Sequence, residues 1–301
     1  MASIVNQEPT APNPESRFVA QLLFGGMLLV GVIALAAPTM LFVAQESWSS
    51  EQGAHGPIVL FTGLWLLWRQ WPEARGLAVR PAAWVVGLAL LGPLALYAFA
   101  RITQIVELEG YLMYACLLLV MFSAIGLRAI QALWFPLFYL AFIFPPPETI
   151  VAAITLPMKM ELSSAAIGFL KLLGYPIGGE GVRIYIGQYE LLVAAACSGL
   201  NSIISLSAIS LFYIYLRHQT DWRYAILLIL LVVPVALLAN FARVLILILL
   251  TYHLGEAAAQ GFLHNFAGIF MFAVAILVIY VIDEVIRPIW VKWNPTREAL
   301  K

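Results

Sequence analysis

The chain has 301 residues and a mass of 33.2 kDa, with 63% hydrophobic and 11% charged residues. A soluble domain carries about half and about a quarter of each, so this composition excludes a soluble enzyme, a disordered chain and a disulfide-rich secreted domain. Sixteen basic and sixteen acidic residues cancel, which leaves no basic patch for nucleic acid, and the mean hydropathy of +0.94 points to a polytopic membrane protein.

Residues 1–17 are polar and Pro-containing and read as a flexible cytoplasmic tail. No charged region followed by a small-residue cleavage site opens the chain, so no removable signal peptide is assigned. Apolar runs then predict spans near 18–44, 56–68, 82–100, 109–126, 129–146, 198–216, 224–252 and 264–286. The expected fold is all-α and transmembrane: a bundle of about eight helices in one domain over 18–286, with 287–301 as a cytoplasmic C-terminal tail. With the N-terminus inside, eleven of the sixteen basic residues fall in inner segments, four fall outside, and Arg243 lies within a span. That excess obeys the positive-inside rule. Trp290 and Trp293 beside Lys292 read as an inner interfacial anchor.

The longest non-spanning segment, 147–197, is assigned to the outer face. It opens with FPPPETI, whose prolines end the fifth helix. Residues 150–173 are apolar but contain Pro157, Lys159, Glu161 and Lys171. Two readings stand: an amphipathic helix on the outer leaflet, or a crossing that would change all downstream sidedness. In GVRIYIGQYELLVA, Ile184 and Ile186 alternate with Arg183 and Tyr185, and Gly187-Gln188 is read as the turn of a short hairpin. Cys116 lies deep in one apolar run and Cys197 at the edge of another, too far apart in depth for a disulfide.

Ionisable groups inside a span are costly and point to function. Three features draw attention. Cys197-Ser198-Gly199 stands where the outer loop enters the sixth span. Asn240 and Arg243 lie within the seventh. His264 and Asn265 begin the eighth. On the predicted topology, thiol, guanidinium and imidazole converge on the outer leaflet. Asn240 and Arg243, three residues apart, share a helix face, so the amide can hold the guanidinium. A helix N-terminus and nearby cations favour the thiolate, the reactive form of cysteine. His264 can take the thiol proton and return it to a leaving amine, and Arg243 can stabilise the thiolate or an oxyanion. Gly199 allows close backbone approach. His55, His218 and His253 are read as ordinary, with His55 the nearest competitor. GYPIGGEG lacks the Gly-Lys-Ser/Thr of a phosphate loop, and one Cys with one His makes a poor metal set.

At these residues the chain resembles the exosortase/archaeosortase family, multi-spanning cysteine transpeptidases of prokaryotic membranes. The likeness runs through SWSSEQGAHGPIVLFTGLWLLW, FIFPPPETI and GYPIGGEGVRIYIG to VAAACSGLNS, NFAR and HNFAG. The last three are similar to the family's Cys-Ser-Gly, Asn-x-x-Arg and His-x-x-x-Gly signatures. The resemblance implies Cys197 as nucleophile, completed by Arg243 and His264. It departs from the common pattern at Ala195, Asn201 and Asn265, where many members carry Glu, Arg and Asp; these positions bear on the subfamily and its substrate motif.

The resemblance also implies a substrate and a reaction. The substrate is a secreted protein whose C-terminal signal joins a motif such as Pro-Glu-Pro, an apolar helix and a basic cluster. Cleavage occurs on the outer face of the bacterial inner membrane, through a thioacyl-enzyme, with transfer to an amine or to water. The partners implied are that signal helix and membrane lipid. No cofactor and no metal are implied, and members often accompany exopolysaccharide production. Two other classes fit the residues alone. A transporter or export component for an anionic solute or envelope polysaccharide would depend on Arg243 but not Cys197. A non-catalytic assembly factor would tolerate loss of the thiol.

Overall fold

The computed structural model describes residues 14–48, 55–192, 199–218, 221–260 and 262–293. It is an all-α membrane bundle with one small sheet. Helix α1 spans Pro14–Val43 and runs into a π-helical turn, Ala44–Trp48. Helices α2 (Gly56–Gly76), α3 (Ala83–Thr103) and α4 (Val106–Ala132) follow, then α5 (Trp134–Leu140) with a 3-10 turn at Ala141–Ile143. After α6 (Glu148–Leu172) come strands β1 (Ile177–Glu180), β2 (Arg183–Ile186) and β3 (Tyr189–Leu192). The chain closes with α7 (Gly199–Arg217), α8 (Trp222–Leu254), α9 (Glu256–Gln260) and α10 (Phe262–Trp293).

Among the described residues, five helices are long and apolar enough to cross a membrane: Gly25–Trp48, Ala83–Thr103, Glu107–Ala132, Thr149–Leu172 and Trp222–Leu254. Their outward faces, with that of α2, carry large apolar residues such as Phe61, Trp68, Leu88, Phe99 and Leu230, the pattern of a protein solvated by lipid. The second predicted run, 56–68, is shorter than a full span and gains length at its C-terminal end, because α2 continues through residues 69–75 to Gly76.

The expected fifth span, 129–146, is segmented and ends earlier than expected. Helix α4 breaks at Gly126 (φ 77°, ψ 178°), a conformation open to glycine alone. A Cβ there would stand 1.8 Å from the Val79 carbonyl oxygen. Beyond the break the chain returns along α4: the Tyr114 hydroxyl donates to the Leu137 carbonyl at 2.5 Å, and Phe144 packs on Tyr111. The return path ends at Ile143 in a 3-10 turn, ahead of Pro145–Pro147. Three prolines without N–H groups cannot carry the helix to 146.

The two ends of the bundle are polar and distinct. At one end His55 bridges the Phe142 carbonyl and the Ser205 hydroxyl, each at 3.0 Å. At the same end the buried Glu109 accepts from Thr39 (2.7 Å) and Arg101 (2.6 Å). At the opposite end Asp283 gathers side chains from α7, α8 and α10. Although α6 has the length of a span, both its termini lie at the His55 end. It starts just after Phe144, which packs on α4 near that helix's N-terminus. It finishes with Ala166 and Leu170 in one cluster with Val244 and Ile248 of α8. Of the two sequence readings of 150–173, these contacts favour a helix lying across one end.

The sheet rests on the same cluster through Ile177, Ile184 and Ile186. Its order is β1-β2-β3, and both pairs are antiparallel. Gly181 (φ 61°) and Gly187 (φ 55°) each take the first central position of a two-residue turn, the arrangement that suits the twist of a hairpin. The Gly187-Gln188 turn is where the alternation predicts it. Strand β1 is an addition that Ile-Gly-Gly-Glu did not announce.

Candidate active site

Helices α7, α8 and α10 pack on one another around a shared core of Leu206, Ile214, Leu228, Val232, Val235, Ala236, Ala275 and Ile279. Their register is fixed at the end away from His55. Asp283, on α10, is fully buried. Its Oδ2 accepts from the Tyr213 hydroxyl (2.6 Å) and from His218 Nε2 (2.9 Å), and its Oδ1 from the Tyr224 hydroxyl (2.8 Å). Arg217 adds an ion pair to Asp283 at 3.4 Å and another to Glu284. Asp221 caps α8, accepting from the Tyr224 N–H at 3.3 Å and from the Trp290 indole at 2.8 Å. A buried carboxylate satisfied by several donors in this way holds its helices in one arrangement.

That lock has a consequence along the helices. His218, Tyr224 and Asp283 stand together at it. One and the same sequence separation leads back from His218 to Gly199, forward from Tyr224 to Arg243, and back from Asp283 to His264. Antiparallel helices with a common rise of about 1.5 Å per residue keep such positions level, here about 28 Å from the lock. The intervening core follows the same steps: Ile214, Leu228 and Ile279 each stand one short step from the lock, and Val232 and Ala275 each stand two. The start of α7, the middle of α8 and the first turn of α10 therefore share one level.

Arg243 and Asn240 lie on the buried face of α8, 6% and 4% exposed, one turn apart as their spacing predicts. Gly199 is the first residue of α7. His264 and Asn265 occupy the first turn of α10, the turn next to the short α9 connection. Cys197 and Ser198 lie outside the described residues. Cys197 precedes Gly199 by two positions, and β3 ends five positions before it. The backbone thus brings together the helices that carry Arg243, His264 and Gly199.

The other histidines have polar partners of their own. The Phe142 carbonyl can only accept, so His55 Nε2 carries the proton and Nδ1 accepts from Ser205. With one ring nitrogen on the Phe142 carbonyl and the other on the Ser205 hydroxyl, His55 ties α2, the 3-10 turn and α7 together. His218 belongs to the Asp283 lock. His253 is exposed, 3.4 Å from the Tyr175 hydroxyl, at the far end of α8.

Sequence reasoning passed over Asp283 and Glu109. Both were legible as carboxylates within or bordering apolar runs. Cys116 is a buried free thiol away from this region. Among the described residues no group of three or more His, Cys, Asp or Glu is placed to hold a metal ion.

Comparison with known families adds one finding. A family model described as transmembrane exosortase (Exosortase_EpsH) matches residues 47–281. The matched region takes in the His55 bridge, the sheet and the candidate site residues on α7, α8 and α10. A search of curated proteins returns no match, and a search of solved structures returns none either.

Proposed function

The chain belongs to the transmembrane exosortase family, and from that premise we propose that it is a multi-pass cysteine transpeptidase or protease that removes the C-terminal sorting signal of secreted proteins. The reading is carried by one observation: a common register, set at the Asp283 lock, that makes Arg243 level with the first turns of α7 and α10.

In this reading Cys197 attacks the scissile carbonyl as a thiolate. His264 takes the thiol proton and returns it to the departing amine. Arg243, permanently charged and held on a buried helix face, stabilises the thiolate before attack and the oxyanion after it. Asn240, one turn away on the same face, positions the guanidinium. Ser198 and the small Gly199 let the substrate backbone approach the start of α7, and Asn265 flanks the base. The thioacyl-enzyme then passes its acyl group to an amine acceptor or to water. The substrate's signal combines a Pro-Glu-Pro-like motif, an apolar helix lodged against the bundle and a basic cluster. The excess of Lys and Arg in the segments read as inner supports a site on the outer face of the cytoplasmic membrane.

The test is a secreted reporter carrying such a signal, co-expressed with the protein. The reporter shortens with the wild type and stays full-length with Cys197→Ala, at equal amounts of membrane-inserted protein. Unchanged processing by Cys197→Ala, or flux of a solute that needs Arg243 but not Cys197, contradicts the reading.

A further inference from the structure

Strand β3 is an edge strand that ends five positions ahead of Cys197. It pairs with β2 on one side, and among the described residues no strand pairs with it on the other. The two-residue Gly187-Gln188 turn makes Ile186 and Tyr189 the hydrogen-bonded pair beside the turn, and Ile184 with Leu191 the next one. Glu190 and Leu192 alternate with these, so their N–H and C=O groups point away from β2, toward the open edge.

The edge is also held firmly from behind. Leu191 and Tyr189 pack with Ile184 and Ile186 against the Val244–Ile248 stretch of α8, the turn that follows Arg243. The Glu190 side chain is half exposed and paired with Arg183 (3.3 Å) and the Tyr185 hydroxyl (3.4 Å), both on β2. It is drawn over the sheet rather than across its edge. A fixed row of main-chain donors and acceptors at two-residue spacing, leading into the nucleophile's segment, matches the repeat of an extended peptide.

We propose that the open edge of β3 binds the extended substrate segment next to the scissile bond as a fourth strand, through main-chain hydrogen bonds of Glu190 and Leu192. The inference rests on reading Cys197 as the nucleophile, and its test is arranged so that the two can fail separately.

In the first arm, cleavage of the reporter is measured per inserted molecule. Glu190→Pro removes an edge N–H without touching the β2–β3 ladder and is expected to slow cleavage about tenfold. Glu190→Ala, which removes only the side chain, is expected to change it less than about twofold. Equal rates for Glu190→Pro and wild type overturn the proposal.

The second arm needs no catalysis. In a Cys197→Ala background, Glu190→Cys is paired with single cysteines placed along the reporter segment before its apolar helix. Cross-strand neighbours bring Cβ atoms within about 4.5–5.5 Å, so disulfides are expected at the reporter position opposite 190 and, more weakly, two positions to either side, with none at the positions between. Cys116 is buried and stays out of the reaction. No cross-links, or equal yields at all positions, overturn the proposal even where Glu190→Pro inserts poorly. Alternating cross-links with an uncut reporter in wild type would sink the peptidase reading and leave the edge site standing. Cys197-dependent cleavage without alternation would do the reverse.

Discussion

Arg243 is a guanidinium only 6% exposed on a helix built mostly from Leu, Ile, Val and Ala. A buried cation in such a helix is a candidate for function, and the proposed role sets it against a reacting group. A planar, fixed fork suits an oxyanion in a way that a flexible ammonium does not. Arg243→Lys is therefore expected to lower reporter cleavage by roughly 10²–10³-fold at unchanged membrane levels. Wild-type turnover with Lys at 243 would remove Arg243 from the mechanism. His55 makes the opposite case. Its two ring nitrogens bridge the Phe142 carbonyl and the Ser205 hydroxyl across three elements, and the role expected of it is structural. His55→Ala should cost about 1–3 kcal/mol of stability, because two buried groups lose their partner. Thermal unfolding in detergent would show this loss, while cleavage per folded molecule stays near wild type. A collapse of turnover without loss of stability would make His55 a reacting group.

Helix α8 is the element on which the proposed site depends, since it carries Arg243 and is pinned about five turns away, where Tyr224 joins the Asp283 lock. Inserting one alanine after the exposed Leu238 would turn everything beyond it by about 100° and advance it about 1.5 Å. Arg243 would then leave the buried face while the apolar length of α8 is preserved. Cleavage is expected to be lost in a protein that still inserts. Retained cleavage would mean that the level shared with α7 and α10 does not matter.

Helix α8 was legible from hydropathy, and its Asn240–Arg243 face from spacing alone. Other elements were harder to read. The break at Gly126 depends on the Val79 carbonyl, which belongs to the loop between α2 and α3, a contact that no local pattern encodes. Strand β1 carries two glycines and little β-branched character. It exists because β2 and the α6–α8 cluster provide its partners. Helix α6 satisfies every length and hydropathy criterion for a span, and only its contacts reveal that both termini lie at one end.

At the scale of the whole molecule, two polar layers organise an otherwise apolar bundle. One joins Thr39, Arg101 and Glu109, with the His55 bridge at the same end; the other centres on Asp283. Between them the helices are featureless enough to slide, because lipid and neighbouring helices offer similar apolar contact. The Asp283 layer removes that freedom and sets which residues meet at the other end. Asp283 was visible in the sequence as an intramembrane carboxylate, but its role was not, because its donors come from separate segments of the chain. The positions of Arg243 and His264 within their helices followed directly from sequence. Their shared leaflet was already expected from the predicted topology, and the lock adds the register that relates their levels.

In the proposed reaction the thiol of Cys197 forms the acyl bond, and mass spectrometry of the protein caught during turnover tests this most directly. Wild-type protein incubated with the reporter should carry a hydroxylamine-sensitive adduct on the peptide containing Cys197, equal in mass to the reporter's acyl fragment. The adduct should be absent in Cys197→Ala and scarce in Arg243→Lys. Cleavage that proceeds with no adduct on that peptide, or an adduct that survives Cys197→Ala, would contradict it.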